Sequence, residues 1–292
     1  MAAEPRIGVA LGSGGARGLA HITYIEALDE MGIVPSVIAG TSIGALIGAG
    51  WASGMTGREI REHAERVLGN LQEIAGRLWL TSQAALKDVM QTGISLQADA
   101  RNNADAFLPD DFPDDFGALK VPLHVVATDY HNWNEVVFVS GPLRQAIAAS
   151  FAIPGLFRPM RFGGRLYIDG GATNPLPVDR ARMLSDIVIG IDVNGAPSEP
   201  ANREVPSPFD AGIVATQIMT QSIIRNAFAV NAPDIYVHAL AEGVRTLEFW
   251  RVRDILAQAE ADKDAFKRAL AQRIEAFLTG NQKEGDRHQP NG

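Results

Sequence analysis

The chain has 292 residues, with 26 Lys+Arg against 34 Asp+Glu, a net charge of −8 and no cysteine. That acidic balance argues against a nucleic-acid partner, and the absence of thiols excludes disulfides and thiolate catalysis. With 46% hydrophobic residues and no evident linker or internal repeat, a single folded domain is expected over 1–280, followed by a polar, loose tail over 281–292.

Met1 to Arg6 lacks a basic segment followed by an apolar core, so no signal peptide is read there. The apolar run Ile7–Leu11 predicts a buried strand. It feeds Gly12-Ser13-Gly14-Gly15-Ala16-Arg17-Gly18, which opens a helix expected over Leu19–Glu30. Strand, glycine loop and helix together form an anion cradle. A dinucleotide fingerprint fails, because its sixth position is Arg17 and the nearby acids, Asp29 and Glu30, end a helix. A nucleotide P-loop fails as well, for want of Gly-Lys-Ser/Thr. The remaining use is an oxyanion hole, with N–H groups near Gly14 and Gly15 facing a tetrahedral oxyanion. Arg17 either holds the loop's shape or lies near a phosphate.

Val37–Ala39 predicts the next buried strand and Ile43–Ser53 the next helix, joined by Gly40-Thr41-Ser42-Ile43-Gly44. Gly-x-Ser-x-Gly in strand–turn–helix context holds a serine hydroxyl out of the backbone. The helix N-terminus behind Ser42 favours developing negative charge. The stretch from Gly32 to Gly57 carries no charge, and Gly40, Gly44 and Gly48 have the spacing of a transmembrane seam. Pro35 and the dense small residues favour a buried strand, elbow and helix instead, so no transmembrane segment is expected.

A polar helix is expected over Arg58–Leu68, and mostly helical or irregular chain over Leu71–Asp105. The acidic run Pro109–Asp115 lacks glycine-centred calcium-ligand spacing and reads as a solvated loop. Strands are expected at Pro122–Thr128 and Glu135–Val139, and a helix at Pro142–Phe151. A hairpin over Arg161–Ile168 turns at Gly163-Gly164. Asp169 ends that hairpin and is followed by Gly170 and Gly171. Taken alone, Asp-Gly makes a turn; beside the serine elbow and the glycine loop, it is the candidate base. The clearest buried strand is Asp186–Val193. A helix from Asp210 to Val230, a strand at Ile235–Leu240 and a long helix over Arg251–Leu278 complete the map. Alternating strands and helices imply a three-layer α/β/α sandwich around a mostly parallel sheet.

A serine nucleophile needs a proton acceptor. Of the six histidines, His21, His63, His124, His131 and His288 sit in helices, a strand, a turn and a tail, none placed as a general base. His238 closes a strand and keeps a late triad histidine open as an alternative.

Together these blocks resemble the patatin-like phospholipase family, in particular bacterial members similar to the catalytic domain of neuropathy target esterase. The family's Gly-Gly-x-Arg/Lys-Gly loop is matched by Gly14-Gly15-Ala16-Arg17-Gly18, its nucleophile motif by Gly40 to Gly44, and its Asp-Gly-Gly/Ala by Asp169 to Gly171. A fourth block appears as Ala149-Ser150-Phe151-Ala152-Ile153-Pro154 with Phe157-Arg158-Pro159. The resemblance spans about residues 7 to 193. It implies a Ser42–Asp169 dyad without histidine, an oxyanion hole at Gly14 and Gly15, and a supporting shape from Gly12, Ala16, Arg17, Gly18, Gly40, Gly44, Gly170 and Gly171. The implied activity is hydrolysis of phospholipid or lysophospholipid acyl esters, with no metal and no cofactor. The expected partner is a lipid or acyl-ester substrate, met in the cytoplasm or at a membrane surface.

Candidate acyl-channel walls are Leu78-Trp79-Leu80, Met90, Phe151, Phe157 and Met160, and candidate head-group cations are Arg17, Arg158 and Arg161. The apolar face from Ile213 to Phe228 is expected to pack on the sheet, cover the cleft or meet a bilayer. A small-ester carboxylesterase and a non-catalytic lipid-binding or regulatory module are the competing readings.

Overall fold

The structure is a computed structural model that describes residues 4–68, 107–154, 157–195, 205 and 208–287. The expectations for Leu71–Asp105, Leu78-Trp79-Leu80, Met90 and His288 fall outside these residues.

Among the described residues, eight strands form one sheet: β1 Ile7–Leu11, β2 Val37–Thr41, β3 Leu123–Asp129, β4 Asn134–Phe138, β5 Met160–Phe162, β6 Arg165–Asp169, β7 Ile187–Asp192 and β8 Ile235–His238. Strands β3, β2, β1, β7 and β8 run parallel in that order, while β4, β5 and β6 are antiparallel additions beyond β3. The helices are α1 His21–Glu30, α2 Ile43–Ala52, α3 over 57–68, α4 Leu143–Ser150, α5 Val178–Arg182, α6 Pro208–Asn231, α7 Val252–Glu260 and α8 Lys263–Arg287.

The central strands are buried on both faces, so they read as unbroken apolar runs rather than alternating ones. Ile7, Val9, Leu11, Ile38, Ile187, Ile189 and Ile191 point into the larger core, built with α1, α2, α7 and α8. Ala10, Ala39 and Val188 point the other way, against Val178, Ala181 and Ile224 of α5 and α6. Helices therefore cover both faces of a mostly parallel sheet, the three-layer architecture expected above.

Two local expectations are corrected. The glycine loop does not run straight into a helix at Leu19, because Gly15–Ala20 first forms a 3-10 helix and α1 begins at His21. The long helix expected over Arg251–Leu278 is two helices, with a turn at Ala261 and Asp262 where Asp262 N–H bonds back to Ala259 O. The second of these continues to Arg287.

Register explains why two residues distant in sequence become neighbours. On β3, Val126 pairs with Thr41 of β2, and the next residue, Ala127, pairs with Asp169 of β6. Strand β4 occupies the opposite edge of β3 throughout Val125–Asp129. Strands β2 and β6 therefore share one edge of β3 and approach it from opposite directions, so their C-terminal ends meet.

Candidate active site

Ser42 follows β2 directly and precedes α2, with φ 59° and ψ −123°. That left-handed φ is rare for a residue with a side chain and marks a strained elbow. The neighbouring glycines make the turn compatible with its surroundings: a Cβ at Gly44 would collide with Leu11 O, and one at Gly40 would lie 2.6 Å from Ala45 N.

Asp169 closes β6 from the other side. Ser42 Oγ donates to Asp169 Oδ2 at 2.5 Å, and Gly171 N–H donates to Asp169 Oδ1 at 2.7 Å. Gly170 lies close against Val126 O, and Thr128 Oγ1 donates to the backbone carbonyl of Asp169 at 3.0 Å. Both Ser42 and Asp169 are buried. Burial pushes the Asp169 carboxyl up to about 6, against the opposing hydrogen bonds from Ser42 and Gly171. The group is thus ionised near neutral pH and far more basic than a free aspartate.

The glycine loop leans on both partners. Side chains added at Gly44 and Gly18 would strike Leu11 and Ile43, and one at Gly171 would press on Ser13. Outside the 3-10 helix, Gly12 N–H bonds to Ile191 O, Ser13 N–H to Pro175 O and Ala16 N–H to Thr246 O. Among the described residues, the N–H groups of Gly14 and Gly15 make no backbone hydrogen bond of this kind outside the 3-10 helix. Gly15 adopts φ 61°, and a Cβ on Gly14 would sit 2.6 Å from Val193 O. This loop therefore needs glycine at both positions. Backbone donors beside a buried Ser–Asp pair are what stabilisation of an oxyanion requires.

Arg17 is buried and reaches Val244 O at 3.2 Å and Thr246 Oγ1 at 3.3 Å. Of the two roles open in the sequence, the contacts are those of a loop tether. Arg158 and Arg161 are exposed. Phe151 and Phe157 join an aromatic cluster with Phe107 and Phe249, whereas Met160 packs with Tyr167 and Phe162.

Among the described residues, no histidine hydrogen-bonds to Ser42, whose hydroxyl partner is Asp169. His238 lies three strand positions from β2, about 14 Å by ordinary strand spacing, and its Nε2 bonds to Asn194 O at 3.0 Å. His21 is buried against Gly12 O at 2.9 Å, and burial pulls it down to about 4.

Two contributors escaped the sequence reading. Ser150 Oγ accepts the Ser42 N–H at 2.8 Å and donates to Val126 O at 2.6 Å, pinning the elbow. Its motif was visible, but not its target. Asp192, fully buried at the end of β7, binds Asn194, Gln221 and Tyr236 behind the glycine loop. An acidic residue ending the most apolar strand was the available signal.

The family model described as Patatin-like phospholipase matches residues 9–182. An uncharacterized NTE family protein of Mycobacterium tuberculosis is 36% identical over 207 residues, covering 70% of this chain and 53% of that protein. The chain thus spans about half the length of this relative. The lysophospholipase nte1 of Aspergillus fumigatus is 30% identical over 194 residues, covering 64% of this chain and 12% of that protein. Among solved structures, VipD from Legionella pneumophila aligns with a TM-score of 0.48 and 16% identity, over 91% of this chain and 68% of that one. With the family model covering more than half of its length, the chain belongs to the patatin-like phospholipase family.

Proposed function

We propose that the chain hydrolyses acyl ester bonds of phospholipids or lysophospholipids through a Ser42–Asp169 dyad. The observation that carries this reading is the buried hydrogen bond of 2.5 Å between Ser42 Oγ and Asp169 Oδ2. Asp169 takes the hydroxyl proton as Ser42 attacks the carbonyl carbon, and the N–H groups of Gly14 and Gly15 receive the oxyanion. Collapse breaks the ester C–O bond, and Asp169 returns its proton to the departing alcohol. Water then attacks the acyl-serine with Asp169 again as base, releasing the carboxylic acid. A carboxyl held near 6 suits both halves of this cycle, because it is ionised at neutral pH yet basic enough to share a proton.

Lipid substrates are supported by family membership and by the exposed apolar residues Val214, Ile218 and Met219 on α6. That helix reaches the glycine-loop tether through Gln217 Nε2, 2.8 Å from Thr246 Oγ1. Among the described residues, no helix is long and apolar enough to cross a membrane.

Ser42→Ala and Asp169→Asn should each lower kcat on a lysophospholipid by about 1,000-fold or more, given the cost of removing a nucleophile or its base. A fluorophosphonate should label Ser42 in the wild type. Near-normal turnover by either variant, with the far-UV spectrum unchanged, would refute the dyad.

A further inference from the structure

A cavity of about 50 Å³ lies between α2 and α3 and extends along α2 as far as Ile43. Its walls include Ile43, Leu46 and Gly50 of α2, Ile60 and Ala64 of α3, and Phe249. Ile43 is the residue after Ser42, and Leu19, also in the wall, belongs to the 3-10 helix Gly15–Ala20 that begins within the glycine loop. The cavity therefore borders the residue that follows Ser42 and the chain that continues the glycine loop. Its one titratable lining residue among those described is His63, whose Nε2 bonds to Phe107 O at 3.0 Å. An apolar space of this kind suits hydrocarbon rather than a head group.

Gly50 points to the same use. Glycine weakens a helix relative to alanine, and the other α2 glycines have packing reasons: Gly44 lies against Leu11 O, and a Cβ at Gly48 would lie 3.0 Å from Ile38 Cγ2. Gly50 has neither such a clash nor a positive φ. A Cβ there would meet Ile60 at 3.6 Å and Met55 Sδ at 3.7 Å, which is ordinary contact. It is not the helix cap either, since Gly54, at φ 102°, follows the helix end. What the missing side chain does is leave the cavity open.

We propose that this cavity receives the acyl chain of the substrate and that Gly50 sets the chain length it accepts. The proposal rests on the ester-hydrolase reading above and names the specificity of that same site. The space holds about four groups of water size, so a butanoyl chain fits with the walls as they stand and an octanoyl chain enters part-way. Longer chains require the Phe107–Phe249 side to yield.

The test compares kcat/KM on p-nitrophenyl acetate, butanoate, octanoate and dodecanoate. Gly50→Leu should lower the octanoate-to-acetate ratio by about tenfold or more, the size of effect a blocked methylene site produces. Gly50→Ala, whose added methyl meets only ordinary contacts, should lower it about threefold by the same argument. Ile60→Ala should raise the dodecanoate-to-acetate ratio. A second arm separates this proposal from the hydrolase reading: thermal shift by sodium octanoate, measured on the wild type, Ser42→Ala and Gly50→Ala. Stabilisation of the first two, weakened in the third, sustains the cavity assignment even if no ester is turned over. Ratios unchanged in every variant, or octanoate shifts equal in all three proteins, overturn it.

Discussion

Ser42 holds φ 59°, a conformation that costs on the order of 1–3 kcal/mol unless its surroundings impose it. Ser150 is part of that imposition, since its hydroxyl takes the elbow N–H and passes a hydrogen bond on to Val126 O. Ser150→Ala leaves both groups buried without partners, at about 1–3 kcal/mol of stability. The elbow then has an alternative to its strained shape, so kcat should fall about tenfold or more while KM changes little. An equal rise in KM would mean that Ser150 serves the substrate pocket instead. Asp169 makes the opposite kind of demand. Its carboxyl rises from 3.8 to about 6, chiefly by burial, which corresponds to about 3 kcal/mol between the protonation states. Because the folded value is the higher one, this stability is fully present below pH ~4 and is lost as pH rises through ~6. Asp169→Asn does not titrate, yet its amide can still accept from Gly171 and donate to Ser42 Oγ. Its Tm should therefore exceed that of the wild type at pH 8, with the advantage shrinking towards pH 4. Hydrolysis by the wild type should decline below pH ~6 as the base becomes protonated. A Tm difference independent of pH would show that Asp169 is not buried as an anion.

At the scale of elements, the meeting of Ser42 and Asp169 is a property of β3, whose one edge accepts β2 and then β6. Local patterns in the sequence were enough to identify Gly40–Gly44 and Asp169–Gly171, because turn chemistry is encoded within a few residues. The shared edge was not readable, since strand pairing depends on partners distant in the chain, Thr41 for Val126 and Asp169 for Ala127. The same distinction separates α7 from α8. No glycine or proline interrupts Glu260-Ala261-Asp262-Lys263, so periodicity ran through the break. The turn is held from outside, where Lys263 Nζ meets Glu30 at 2.7 Å and Glu260 at 3.3 Å. Arg17 shows how such distant contacts reach the candidate site. From inside the glycine loop it bonds to Val244 and Thr246, while Thr246 O also holds the Ala16 N–H. Arg17→Met fills similar space without donors, so the loop loses its tether to that segment. We expect kcat to fall about tenfold or more, because misplaced oxyanion donors act in the transition state, together with a lower Tm. A variant that loses stability but keeps its kcat would confine Arg17 to the fold.

For the whole molecule, the proposed lipid substrate raises the question of how an acidic protein would meet a lipid surface. A net charge of −8 opposes approach to anionic membranes, most strongly at low salt. Attraction must then come from apolar area, and α6 offers it: Val214, Ile218 and Met219 are 50%, 63% and 58% exposed. From Ala211 to Ile224 the helix carries no charged residue, unusual for a helix facing water. Its other side is occupied, with Ile224 in the core and Gln221 on Asp192, so the helix is anchored beside the glycine loop while its apolar side faces outward. Inserting two large apolar side chains contributes about 3–6 kcal/mol at full burial, and partial insertion at an interface still multiplies the bound fraction many-fold. Ile218→Glu with Met219→Glu should therefore lower the ratio of phosphatidylcholine-vesicle hydrolysis to soluble-butanoate hydrolysis by about tenfold or more. Adding anionic lipid to the vesicles should weaken wild-type sedimentation at low salt, and added salt should restore it. If the double variant depresses both substrates alike, α6 acts through its packing on the sheet and the apolar face does not carry the enzyme to lipid.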